Sequence, residues 1–286
     1  MSILLVIAAA TAALLYMLAW FRSGRPGVAT AEAAESSPAP AANSDAGSLV
    51  LLAGVAAHAV ALYAGIGTDT GFRFGFAQAL SATFWVGTAM LWFEGLSVRV
   101  EALRAIVLPI AALTSLLPLV FPGSDFSSEA VRPLFLPHLL AGTLAYGILM
   151  LAALHATLMT AAERALHGPG SDAASLFARW LDRLPPLLVL ERILFRFIAV
   201  GFVLLTLTAL SGILFSEEIF GRPLRLDHKT VFTLISWALF GVLLIGRRLR
   251  GWRGRTALRL TLAGFAVLLL AYVGTRFVLE VILQRG

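Results

Sequence analysis

Five histidines are the residues here whose type and placement suit chemistry, and the 286-residue chain has no cysteine beside them. Without cysteine there is no disulfide, thiolate zinc site, CxxC redox pair or cysteine nucleophile, so a metal must be held by histidine, methionine or carboxylate. His58 and His155 fall inside long apolar runs. There an ionisable side chain costs a few kcal/mol unless it turns to the bundle interior or finds a partner. A neutral imidazole meets that demand by donating to a carbonyl of a neighbouring helix; two imidazoles facing across a gap can instead ligate one haem iron axially. At 1.5 Å per residue the two can lie at comparable depth.

His138 opens another apolar run after Pro137, and His228 stands just before one, in the stretch EEIFGRPLRLDHKT over residues 217–230. That stretch sets Arg222, Arg225, Asp227 and Lys229 beside His228, while Arg132 lies near His138. Imidazoles can hold a haem iron and arginines can pair with its two propionates. The same residues also have a plain reading. Glu217, Glu218 and Asp227 offset the three cations, and Asp227 ahead of an apolar run is a helix N-cap. His167, followed by Gly168 and Pro169, is assigned no role.

The elements that carry these residues follow from composition. At 59% hydrophobic and 13% charged residues, with a mean hydropathy of +0.88, the chain cannot cover a soluble surface; average proteins carry about 25% charged residues. It is a membrane protein. The net charge of +6 does not indicate nucleic acid, because the arginines flank apolar segments and do not pattern a soluble surface. Eight apolar runs are near the roughly 20 residues a spanning helix needs: about 2–21, 48–66, 74–93, 104–121, 138–160, 197–216, 230–246 and 258–280. The predicted fold is all-α, a polytopic bundle of about eight transmembrane helices.

Alternate loops orient it. Residues 22–47, 94–103, 161–196 and 247–257, with flanking Arg104 and Arg259, hold fifteen of the 22 Lys and Arg residues. By the positive-inside rule these loops are cytoplasmic, which puts both termini on the outer, periplasmic side of a bacterial inner membrane. The first run has no positive charge ahead of it and Arg22 and Arg25 behind it, the reverse of a secretory signal, so it is expected to stay as an anchor. Residues 1–47 then read as an anchor helix plus a flexible cytoplasmic linker rich in Ala, Ser, Pro and Gly, and residues 48–286 as a seven-helix membrane domain. Residues 173–184, AASLFARWLDRL, have the spacing of an interfacial amphipathic helix. No repeat suggests an inverted-repeat transporter. Trp85 and Trp92, seven residues apart on one face, suit packing or interfacial anchoring, with stacking on a porphyrin the alternative. Arg276 and Glu280 make an i,i+4 pair.

The run LERILFRFIAVGFVLLTLTALSGILFSEEIFG from Leu190, then LRLDHKTVFTLISWALFGVLLIGRR, resembles the membrane cytochrome c assembly family of haem-handling proteins, the CcsA- and HemX-like group. LPHLLAGTLAYGILMLAALHATL from Leu136 is similar to the helix that opens with the family's first external histidine, which makes His138 its counterpart. The likeness covers roughly residues 48–286, and is nearest in kind to the shorter YpjD-like inner-membrane branch. It implies haem as the bound molecule and cytochrome c maturation proteins as partners. The family's tryptophan-rich WxWDPKE signature is reduced to Asp227 and Lys229, with Leu224 and Leu226 near the tryptophan positions and His228 where proline stands. His228 is our own candidate for the second external ligand.

There is no nucleophile–base pair, phosphate loop or metalloprotease motif, so no enzyme is expected. Three classes of function remain: an accessory that binds or handles haem in cytochrome c assembly; a noncatalytic membrane partner or scaffold whose basic loop meets lipid or protein; and an ion-coupled transporter.

Overall fold

The computed structural model describes residues 2–23, 45–68, 71–95, 101–167, 187–217, 227–278 and 282. Among them are eight long helices: α1 (Ile3–Ser23), α2 (Asp45–Ile66), α3 (Phe76–Glu94), α4 (Glu101–Val120), α6 (Phe135–His167), α7 (Leu187–Leu214), α8 (His228–Arg250) and α9 (Gly254–Leu269). A single helical turn, α5, spans Ser127–Ala130. α9 runs on through a π-helical turn, Leu270–Gly274, into a last turn, Thr275–Phe277. The linker residues 24–44, the amphipathic segment 173–184 and Glu280 lie outside the described residues.

Seven of these helices are long and apolar enough to cross a membrane, one fewer than the sequence reading expects. The exception is α3. It packs against α2, α4 and α6, and buries Gln78, Ser81, Thr83, Thr88 and Glu94 among its residues. A helix shielded by protein on several sides faces little lipid, so it can carry polar groups that would be costly on a lipid-facing surface. Several helices also overrun their apolar stretches: α6 begins at Phe135 and runs 33 residues, and α7 starts ten residues ahead of the expected 197. Polar residues at helix ends extend beyond the hydrocarbon layer, where hydropathy no longer marks them.

In the sequence the linker over residues 24–44 sets the first helix apart from the other seven. In the structure α1 packs along α2 and α4 and contributes Ala12, Tyr16 and Ala19 to the main apolar core. The Trp20 indole donates to the Ala105 carbonyl at 3.0 Å, and a Cβ on Gly54 would stand 3.0 Å from the Tyr16 ring. Small residues let these backbones approach, as van der Waals packing between membrane helices requires. The α3–α6 contact uses the same device, with Gly147 seated against Val86 and Gly87 against Met150.

A small antiparallel sheet closes one end of the bundle, where a loop is expected from the sequence. β1 (Gly67–Thr68) pairs with β2 (Gly71–Phe74), placing Gly67 opposite Phe72. β2 pairs in turn with β3 (Ser124–Asp125), placing Arg73 opposite Asp125. Gly71 has φ 140°, and a side chain there would run into the Ser127 hydroxyl. That hydroxyl accepts the Phe72 N–H at 2.8 Å.

Candidate functional site

His138 lies in the first turn of α6, where its Nδ1 is 2.8 Å from the Ser211 hydroxyl of α7. Ser211 gives its own proton to the Thr208 carbonyl at 3.1 Å. With that proton on the carbonyl, the Ser211 oxygen is placed to accept from an Nδ1–H of His138. Across α7, a Cβ on Gly212 would stand 3.3 Å from His138 Cε1, so glycine admits the ring.

His228 is the first residue of α8 and is exposed. Asp227 caps that helix: its Oδ1 accepts the Thr230 N–H at 3.0 Å and the Thr230 hydroxyl at 3.1 Å, as the N-cap reading expects. Lys229 places its ammonium 5.5 Å from the centroid of the Tyr272 ring, a cation–π contact. Tyr272 belongs to the π-helical turn, an irregularity that often marks functional sites. Arg222 and Arg225 lie outside the described residues.

Aromatic rings connect the two histidine-bearing turns, and these were not singled out from the sequence. Phe72 of β2 stands 5.8 Å from Phe135, one turn before His138, and Phe126 stands 6.2 Å from the same ring. Phe74 reaches Tyr272 at 6.0 Å. The run GFRFGF over 71–76 alternates phenylalanine with smaller or charged residues, and that period of two was the available signal. At the same end, Asp125 accepts the Ser127 hydroxyl and, at 2.9 Å, the Ser127 N–H. These bonds, the hydroxyl first, hold its carboxyl below the ordinary carboxylate value.

The intramembrane histidines do not form the facing pair that their depths allow. His58 of α2 is fully buried, with Nδ1 3.1 Å from the Tyr16 hydroxyl of α1 and Nε2 2.8 Å from the Ser81 hydroxyl of α3. Tyr16 in turn lies 3.1 Å from Thr88 of α3. His155 of α6 donates from Nε2 to the Leu190 carbonyl of α7 at 3.0 Å and stands edge-on to Phe197. Its Nδ1 has no hydrogen-bond partner among the described residues. α3 packs against both α2 and α6, so each ring meets the polar groups of a different neighbour. Trp85 and Trp92 likewise serve packing, donating to the Val55 carbonyl at 3.0 Å and the Ser48 hydroxyl at 3.1 Å, both on α2.

At the opposite end of the bundle, four arginines meet three carboxylates. Arg196 of α7 pairs with Glu94 of α3, a carboxylate only 3% exposed. Glu191 of α7 takes Arg247 at 2.9 Å and Arg253 at 3.2 Å, and Glu163 of α6 takes Arg255 at 2.8 Å. The Arg247 guanidinium also lies 3.5 Å over the Phe195 ring.

Seven apolar spans around a buried polar interior define a polytopic helical membrane protein. The family model described as cytochrome C assembly protein matches residues 45–283, and the chain belongs to that family. It is 30% identical over 180 residues to the inner membrane protein YpjD of Escherichia coli strain K12, a match that covers 63% of this chain and 65% of that relative's length. It is 39% identical over 88 residues to the cytochrome c biogenesis protein CcsA of Prochlorococcus marinus subsp. pastoris, covering 31% of this chain and 28% of the relative. To CcsA of Gloeothece citriformis it is 36% identical over 104 residues, covering 36% and 31%. No solved structure matches the chain.

Proposed function

We propose that this protein binds and presents haem as an accessory of cytochrome c assembly in a bacterial inner membrane, without covalent catalysis of its own. The observation that carries the reading is the placement of His138, which resembles the family's first external histidine, in the first turn of α6 with its Nδ1 held 2.8 Å from the Ser211 hydroxyl of α7. His228 is the proposed second ligand. Its exposure at the first turn of α8 leaves the imidazole accessible, while Lys229, with Arg222 and Arg225, offers positive charge to the propionates. Asp227 contributes by capping α8 and fixing the turn that carries His228. The half-buried rings of Phe72 and Phe126, seated against the buried Phe135, supply apolar surface beside the first turn of α6, as a porphyrin edge requires.

His58 and His155 enter this reading differently. His58 has both nitrogens engaged and serves the packing of α1, α2 and α3. His155 keeps an Nδ1 lone pair and is the proposed interior contact, should haem pass through the bundle. The basic loops face the cytoplasm in this proposal, so the His138 and His228 turns face outward. Neighbouring maturation proteins would meet haem there.

The test is a visible spectrum of gently solubilised protein before and after reduction. A Soret band is expected, weakened by His138→Ala and by His228→Ala. Protein that stays colourless after haem is offered would sink the reading.

A further inference from the structure

Arg247, Arg248, Arg250, Arg253, Arg255 and Arg259 gather where α8 turns into α9, with no acid among them in sequence. Among the described residues the carboxylates that reach this group are Glu191 and Glu163, which engage Arg247, Arg253 and Arg255. Arg248, Arg250 and Arg259 are exposed and have no acidic partner among the described residues. The turn that holds them is firmly built. Gly251 adopts φ 66° and donates to the Arg247 carbonyl at 3.1 Å, while Trp252 donates to Gly246 at 3.3 Å and lays its ring on that glycine.

Two of these cations, Arg248 and Arg259, also cap apolar stripes. On α8, Ile245, Arg248 and Leu249 share one face, and Leu249 is 77% exposed. On α9, Arg259 heads the exposed series Ala263, Ala266 and Leu270, at helical spacing. Both helices are candidate membrane spans, so these stripes meet acyl chains and the arginines stand at head-group height. We propose that the α8–α9 hairpin binds the head groups of anionic phospholipids, the phosphodiester pairing with Arg248, Arg250 and Arg259. An acidic protein would need the cations alone, whereas a lipid uses both the cations and the apolar stripe beneath them. The inference rests on the membrane fold and is independent of haem.

The experiment titrates the full-length protein, in neutral detergent, with phosphatidylglycerol or phosphatidylcholine. Lipid retention is read by native mass spectrometry and stabilisation by the thermal midpoint. Phosphatidylglycerol is expected to bind and stabilise selectively. The triple variant Arg248→Gln, Arg250→Gln, Arg259→Gln should bind it on the order of 100-fold more weakly, at about fivefold per arginine. The matching lysine variant should retain most of the effect. Equal binding of phosphatidylcholine, equal stabilisation by inorganic phosphate, tighter binding of polyglutamate, or unchanged retention by the glutamine variant would each overturn the proposal. If the triple variant does not fold, Arg259→Gln alone and the salt dependence of wild-type binding decide it: salt-insensitive binding overturns it.

Discussion

The Ser211 hydroxyl is the cheapest point at which to separate ligation from support. Ser211→Ala leaves the His138 nitrogens in place but removes the hydroxyl that holds Nδ1. Loss of such a supporting bond lowers metal affinity by roughly 10- to 100-fold, so haem titration of Ser211→Ala should fall between wild type and His138→Ala. A titration of His138→Ala indistinguishable from wild type would remove His138 from the site. His58 predicts a different outcome. Tyr16→Phe strips the partner from its buried Nδ1, whereas Thr88 keeps its bond to the Phe84 carbonyl. The cost should be about 1–3 kcal/mol in unfolding experiments in detergent, with haem titration unchanged. Spacing and residue type were enough to single out His58, His138, His155 and His228. They were not enough to separate the engaged nitrogens of His58 from the open one of His155, because the partners sit 42, 23 and 35 residues away in sequence.

Among the elements, α6 offers a controlled comparison between two of its glycines. A Cβ on Gly147 would meet the Thr83 carbonyl at 3.1 Å and crowd Val86. Gly147→Ala should therefore destabilise by about 1–3 kcal/mol, the usual cost of overpacking. On Gly142 the nearest atom would be Thr208 Cγ2 at 3.4 Å, so Gly142→Ala should be neutral or slightly stabilising, since alanine is the better helix former. Thermal midpoints of the two variants decide the point. The β3–α5 turn carries a pH dependence. The folded carboxyl of Asp125 titrates below its unfolded value, so its contribution is full above the ordinary carboxylate range and is lost as pH falls through the lower, folded value. Protection of the Ser127 amide from hydrogen exchange should decline only in that acid window. The helices were legible because an apolar run of membrane length is an unmistakable signal. The sheet was not, because its strands are two to four residues long and depend on pairing between positions some fifty residues apart.

Across the whole molecule, orientation is the property with the most consequence. Phosphatase reporters fused after residue 286 should be active, and those placed at Gly251 inactive, if the arginine-rich hairpin faces the cytoplasm; the reverse pattern would move His138 and His228 to the wrong side for the proposed presentation of haem. The sequence by itself determined that this chain lives in a membrane, where most of its helices run and which family it belongs to. Those properties follow from composition, apolar run length and local motif, which are written along the chain. Tertiary structure alone decided that α1 is part of the main core, that α3 can be polar because its neighbours cover it, and that His58 is bound to Tyr16 and Ser81. Each of these depends on which helices touch, and in lipid that is set by close backbone approach and interhelical hydrogen bonds, for which hydropathy carries no record.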